Sequence, residues 1–300
     1  MGSPEFAVPS LRLLAQHYPI AGIVTQPDRP AGRGRVLTPP PVKTLALELG
    51  LPVIQPEKLR QPEAMAQLQL WQPDLIVVAA FGQILRPAVL DLPPWGCVNV
   101  HASLLPRGRG AAPINAAILD GDRETGVTIM RMDPGVDTGP LLSQSAIPLL
   151  PDDTTESLTT RLAALGAELL LETLPGYLSG AIQPQPQDDA LATYAPMLKK
   201  EDGLLDFTQP AEALARRVHA FNPWPGAFLL WQEQPLKVHR AHFVEPPAGA
   251  APQPPATHAV VQGSPAVWTP QGLLVLDEVQ PAGKKALPGK SFLQGARNWS

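Results

Sequence analysis

The strongest constraint on this chain is the alternation, through its first half, of short apolar runs with longer stretches of helical pattern. Ile20–Thr25 (IAGIVT), Leu51–Gln55 (LPVIQ), Leu75–Phe81 (LIVVAAF) and Cys97–His101 (CVNVH) have the length and composition of strands buried on both faces. Between and around them, Val8–His17, Pro41–Leu49, Glu57–Leu70 and Pro113–Leu119 read as helices. Such alternation predicts βαβ units, a parallel sheet and helices on both of its faces. Gly126–Asp133 and Pro140–Ile147 read as later strands of the same sheet. Asp153, followed three residues later by Glu156, matches a capping box and opens a helix to about Tyr177.

After Lys199 the texture changes. One helix, Ala211–Ala220, precedes a proline-broken patch, Phe221–Gly226. Short strands follow at Ala227–Trp231, Leu236–Phe243, Ala259–Gln262, Ala266–Thr269 and Leu273–Val279, the pattern of a small β-barrel or sandwich. The chain therefore divides into an α/β domain over 1–180, a polar, proline-bearing linker over 181–198, and a β domain over 199–300. Its opening residues lead straight into a helix, whereas a doubly wound sheet begins with a buried strand. The expectation is that the central strand is missing, leaving Ile20–Thr25 and Leu75–Phe81 without a shared hydrogen-bonding partner. A natural start upstream of Met1, with an apolar strand of about five residues, would supply it.

Charge and composition narrow the function. Residues 1–198 carry 13 cationic and 19 anionic side chains, and residues 199–300 carry 10 and 8. A mildly basic part behind an acidic one fits two units with different partners. A single cysteine, Cys97, excludes an internal disulfide and a cysteine-built zinc site, as in a reducing compartment such as the cytoplasm. No stretch reaches the roughly 18 uncharged apolar residues of a membrane helix, and the opening residues lack the pattern of an export signal. Gly32–Arg33–Gly34 and Gly108–Arg109–Gly110 do not extend to a dinucleotide fingerprint. There is no Walker loop, no G-x-S-x-G elbow and no paired histidine spacing for a metal.

Chemistry concentrates in Val98–Gly110, VNVHASLLPRGRG. Asn99 and His101, two apart on a strand, share a face where that strand runs out into a loop. In open α/β sheets ligands bind at that carboxyl edge. An amide and an imidazole side by side can both donate to one developing oxyanion, as acyl transfer requires. Asp137, in MDPGVDTG just past another strand, can orient the imidazole or accept a proton; Asp133 is an equally acidic neighbour. A second segment, Gln26–Lys43, sets Arg29, Arg33, Arg35 and Lys43 against only Asp28, a concentration of cations suited to phosphate groups.

SPEFAVPSL, VTQPDRPAGRGR, LIVVAAFGQIL, NVHASLLPRGRGAAPI, GDRETGVTIMRMDPGVDTGPLL, AFNPWPGA and GKKALPGKSFLQGAR together resemble the methionyl-tRNA formyltransferases, from about residue 3 to the end. The resemblance implies a Rossmann-like formyltransferase domain followed by a β-barrel similar to an OB-fold. It implies transfer of a formyl group from 10-formyltetrahydrofolate, without a metal, to the α-amine of methionine on initiator methionyl-tRNA, by a cytoplasmic monomer. By the same resemblance Asn99, His101 and Asp137 fall on the catalytic trio. Phe81, Gly82, Gln83, Ile84 and Leu85, with Ser103, Leu104, Leu105 and Pro106, fall on the folate site. Arg29, Arg33, Arg35 and Lys43 fall in the tRNA loop, and 199–300 on the tRNA-binding barrel. The chain departs from the family pattern in the missing first strand, in Gly2-Ser3 for Gly-Thr, and in Gly108 where a bulky aromatic is usual. The rival readings are a formyltransferase acting on a small amine and a non-catalytic tRNA-binding remnant.

Overall fold

The computed structural model describes every residue except 32, 33, 35, 247, 248, 250, 252, 297 and 300. It divides into two units, one of Met1–Pro113, Glu124–Pro148 and Thr159–Ala195, the other of Ile114–Arg123, Leu149–Leu158 and Pro196–Ser300. In chain order the first part contains α1 (Val8–His17), β1 (Ile23–Val24), β2 (Arg29–Ala31), β3 (Val36–Thr38), α2 (Pro41–Glu48), β4 (Val53–Ile54), α3 (Pro62–Trp71) and β5 (Ile76–Val78). There follow α4 (Pro87–Leu90), β6 (Cys97–His101), β7 (Arg109–Gly110), α5 (Pro113–Asp120), β8 (Glu124–Arg131), β9 (Leu141–Pro148), α6 (Thr155–Leu178) and β10 (Tyr194–Ala195).

The first unit is built on β5-β6-β8-β9 and on the parallel pair β1-β4. Only β5 and β6 of the larger sheet run parallel; β8 is antiparallel to both β6 and β9. The sheet is thus mixed where the alternation predicts a parallel one. Residues 132–140 are too few to cross over the sheet, so β8 and β9 close as an antiparallel pair.

Met1 and Gly2 stand between the two halves. The Met1 amine donates to the Val77 carbonyl at 2.6 Å, Ala79 N donates to Met1 O at 3.0 Å, and Gly2 N donates to Val24 O at 3.1 Å. Gly2 also bridges Ala79 in parallel. The strands around Ile23 and Ile76 therefore do share a partner, but only two residues long, which corrects the expectation of none. Beside them lies a cavity of about 490 Å³ lined among others by Gly22, Ile23, Ile76, Val77 and Trp71. The strands β1 and β5 span two and three residues where the apolar runs predict six and seven.

Packing sets the two faces of β6. Gly166 of α6 lies where a side chain would strike Val100 and Val127, so the helix backbone comes down directly on this face. Leu162, Leu170 and Leu174 of α6 are fully buried, each stabilising by about 1.5–3 kcal/mol. Cys97 belongs instead to the cluster of Val24, Leu68, Ile76, Val78, Phe81 and Leu85. Asn99 and His101, two and four positions along, share that second face. At its start α6 is capped one residue later than predicted: Thr154 and Ser157 exchange backbone-to-hydroxyl bonds at 3.0 and 3.3 Å, and Asp153 serves the preceding turn through Leu150 N.

The segment read as a linker, 181–198, is bonded to the first unit over most of its length. Gln185 exchanges two backbone bonds with Leu141, and β10 pairs in parallel with β7. An extended segment that bonds through its backbone needs no apolar periodicity, and its composition resembles that of a free connection.

In the second unit α7 (Ala211–Ala220) precedes β11 (Ala227–Trp231), β12 (Gln234–Val244), β13 (His258–Val261), β14 (Ser264–Trp268), β15 (Leu273–Pro281), β16 (Leu287–Pro288) and α8 (Gly289–Gly295). The strands form one six-stranded sheet in the order β11-β12-β15-β14-β13, with β16 on β15, antiparallel throughout. Its core gathers Leu214 and Val218 of α7, Leu229, Leu236, Val238, Leu274 and Leu276 of the sheet, and Phe292 and Trp299 near the end.

Candidate active site

Three loops leave the sheet at the carboxyl ends of β1, β5 and β6. The register sets Val78 of β5 beside Asn99 of β6, so residues 79–85 emerge next to the end of β6. Gln26, just past β1, donates its amide to Phe81 O at 3.1 Å and ties the first loop to the second.

His101 is 6% exposed. Its Nε2 lies 2.9 Å from Gly108 O, and its Nδ1 lies 3.7 Å from Asp137 Oδ1. A carbonyl oxygen only accepts, so Nε2 carries a proton, and the neutral ring has its lone pair on Nδ1. Gly108 holds this anchor at φ +74°, a left-handed conformation that glycine adopts without steric cost. Its carbonyl also accepts from Ser103 Oγ at 3.3 Å, and its N–H donates to Thr193 Oγ1 at 2.9 Å. Asn99 is partly buried, and its carboxamide makes no hydrogen bond among the described residues. One amide donor and one ring nitrogen, Nδ1, which donates once the ring is protonated, therefore lie on one strand face without a close hydrogen-bond partner.

The geometry separates the two carboxylates that spacing leaves equivalent. Asp133 caps its own turn, accepting from Gly135 N at 3.0 Å and from Thr138 Oγ1 at 2.8 Å. Asp137 accepts from Gly110 N at 2.8 Å through Oδ2, which leaves Oδ1 toward His101. Asp137 is itself left-handed, at φ +54°, a conformation costing a side-chain-bearing residue about 1–2 kcal/mol.

The expected folate segment is turned so that its side chains are mostly occupied. Phe81 and Leu85 are buried in the core, and Gln83 bonds Leu59 N at 2.7 Å and Pro56 O at 3.1 Å. Gly82 and Ile84 are exposed, so this segment offers a ligand its backbone and one apolar side chain. Ser103–Pro106 is pinned by Thr128, whose Oγ1 donates to Ser103 O at 2.6 Å and accepts from Leu105 N at 3.1 Å. Ser103 and Leu105 are buried, whereas Leu104 and Pro106 are partly exposed.

The arginine loop is a hairpin, β2 antiparallel to β3. Arg29 is exposed on it, and Arg33 and Arg35 lie outside the described residues. Lys43 is not a free cation: its Nζ lies 2.7 Å from Asp28 Oδ2. Hydrogen bonds from Lys43 and Gln55 hold the Asp28 carboxyl below the usual range. Both side chains of this pair are partly exposed. No group of three or more His, Cys, Asp and Glu side chains arranged for a metal occurs among the described residues, and no helix among them is long and apolar enough to cross a membrane.

One residue escaped the sequence reading. Gln187, inside the stretch read as a linker, donates its amide to Asp137 O at 2.8 Å and Gly139 O at 2.7 Å. Its Oε1 accepts from Arg109 Nε and Nη2 at 3.1 and 2.9 Å.

The comparisons with known proteins agree on the family. The family model "Formyl transferase" matches residues 7–174, and "Formyl transferase, C-terminal domain" matches 197–297. A protein of Roseiflexus sp. (strain RS-1) named methionyl-tRNA formyltransferase is 51% identical over 99% of this chain and 91% of its own. One of the same name from Chloroflexus aggregans is 50% identical over 98% of this chain and 96% of its own. Among solved structures, an N-formyltransferase from Helicobacter canadensis, in complex with folinic acid and dTDP-3-aminofucose, matches with a TM-score of 0.67. It covers 93% of this chain and 97% of its own at 15% identity, which speaks for the fold. With half of its residues shared with curated relatives over nearly its full length, this chain belongs to the formyl transferase family, among the methionyl-tRNA formyltransferases.

Proposed function

We propose that Asn99, His101 and Asp137 carry the formyl group of 10-formyltetrahydrofolate to the α-amino group of methionine on initiator methionyl-tRNA. The single observation that carries this reading is the anchoring of His101 Nε2 on Gly108 O with Nδ1 turned to Asp137 Oδ1. It leaves one ring nitrogen, one carboxylate oxygen and the free amide of Asn99 for the reaction.

The bond that forms joins the methionine nitrogen to the formyl carbon, and the bond that breaks joins that carbon to the folate nitrogen. Asn99 and the Nδ1–H of protonated His101 donate hydrogen bonds to the formyl oxygen as it becomes negative. One such donor is typically worth ~10²–10³ in rate. Asp137 compensates the positive ring and takes up the proton that the amine sheds, which ends on the leaving nitrogen. The backbone of Phe81–Leu85, with Ser103–Pro106, holds the folate. Arg29, Arg33 and Arg35 engage the acceptor end of the tRNA, and the part from 199 to 300 adds less specific backbone contacts. The enzyme acts as a monomer in the cytoplasm, where a single buried cysteine stays reduced.

The test is a formylation assay with 10-formyltetrahydrofolate and either methionyl initiator tRNA or small amines such as free methionine and an amino sugar. Formyl transfer to the charged tRNA alone is expected. Equal or faster transfer to a small amine would overturn the choice of substrate.

A further inference from the structure

We propose that Gln187 is a positioning residue for the formyl-transfer centre. It rests on the reading of Asp137 as a catalytic group.

Gln187 is partly buried and has no free orientation. Arg109 can only donate and the carbonyls of Asp137 and Gly139 can only accept, so its oxygen faces the guanidinium and its nitrogen faces the loop. All its stronger hydrogen-bonding positions are therefore spent, two on each side. Arg109 is 2% exposed and is also held by Asp189 at 2.7 Å. The amide thus couples a fixed, buried cation to the two carbonyls that bracket the Asp137 turn.

What the coupling holds is the left-handed backbone of Asp137. A side-chain-bearing residue stays in that region only where its surroundings fix it. Two restraints do so here: Gly110 N on the carboxylate, and Gln187 on the main chain. If the main-chain restraint goes, the turn can relax and carry Oδ1 away from His101 Nδ1. Misplacement of a catalytic group by about 1 Å costs up to ~10²-fold in rate.

The neighbouring bonds make this a strap and not an isolated contact. Gln185 is bonded to Leu141, Thr193 to Gly108, and Ala195 to Ala111. The strap therefore touches both residues that orient His101: Gly108 directly, and Asp137 through Gln187.

Gln187→Glu tests it. The variant keeps an acceptor for Arg109, so the buried guanidinium stays paired, but it loses both donors and sets a carboxylate against two carbonyls. The expected result is a kcat lowered by about tenfold or more, with KM for both substrates within about twofold, and a displaced pH profile of kcat. Gln185→Glu places the same charge two residues away on an exposed side chain and is expected to leave all of these unchanged. Asp137→Ala is measured alongside. A wild-type kcat and pH profile for Gln187→Glu, while Asp137→Ala is inactive, would overturn the role of Gln187 alone. An equal loss in Gln185→Glu would also overturn it, by assigning the effect to charge on the strap. Full activity of Asp137→Ala would overturn the reading of the site on which it rests. Should Gln187→Glu melt lower than wild type, kcat per folded molecule, titrated by folate binding, decides between the same outcomes.

Discussion

His101 donates from Nε2 to the carbonyl of Gly108 at 2.9 Å. That bond assigns the ring's chemistry to Nδ1, which faces Asp137 Oδ1. Nitrogen-15 spectra of histidine-labelled protein should therefore show neutral His101 in the Nε2–H tautomer. A dominant Nδ1–H tautomer would mean that the Gly108 anchor is not made in solution.

Asp137 and Asp133 differ in what they hold, and substitution should separate them. Asp137→Asn is expected to lower turnover by ~10²–10⁴, the range for a positioned proton-transfer group. Asp133→Asn weakens a turn bonded to Gly135 and Thr138, and should lower stability by about 1 kcal/mol while keeping turnover within a few-fold. The opposite pattern in steady-state kinetics would transfer the role to Asp133.

The arginine hairpin and Lys43 should behave differently toward tRNA. Neutralising Arg33 and Arg35 together is expected to raise KM for tRNA and to reduce its salt dependence by about one counterion per lost contact. Lys43→Ala breaks an ion pair with Asp28 and should leave the salt slope as it is. An unchanged slope in the double arginine variant would make the hairpin a passive surface feature.

Stability should rise with pH between about 6 and 8. Burial lowers the Met1 amine from 8.0 to about 6, with nearby Cys97 opposing. Across that window the unfolded chain binds a proton that the folded chain does not, so folding is favoured as pH climbs. The effect reaches about 2–3 kcal/mol once both forms are deprotonated. Burial also lowers His219 and His258, so each withdraws stability as pH falls through the ordinary histidine range. Melting curves at pH 6 and 8 check this for a chain with a free Met1 amine. A flat or falling Tm over the interval would contradict it.

How much the sequence reveals depends on the kind of force involved. Helices α1 and α6 and strand β6 were legible because apolar periodicity and burial act together there. The pair Asn99 and His101 was legible from strand spacing. The direction of β8 was not, because the apolar pattern of a buried strand does not encode whether its neighbour runs parallel. Spacing alone did not separate Asp137 from Asp133, and only the resemblance singled out Asp137; which carboxylate the turn itself consumes is visible in the fold. Gln187 left no signal: one amide on an extended, proline-bearing segment has no period, and its meaning comes from Arg109 and Asp137, 78 and 50 residues away.

The most direct test of the account is single-turnover formylation of methionyl initiator tRNA by the intact chain and by His101→Ala, both saturated with 10-formyltetrahydrofolate. The account predicts formylmethionyl-tRNA from the intact chain, and a rate at least ~10² lower from the variant with folate binding little changed. An unaltered rate for His101→Ala, or no product from the folded intact chain, would contradict it.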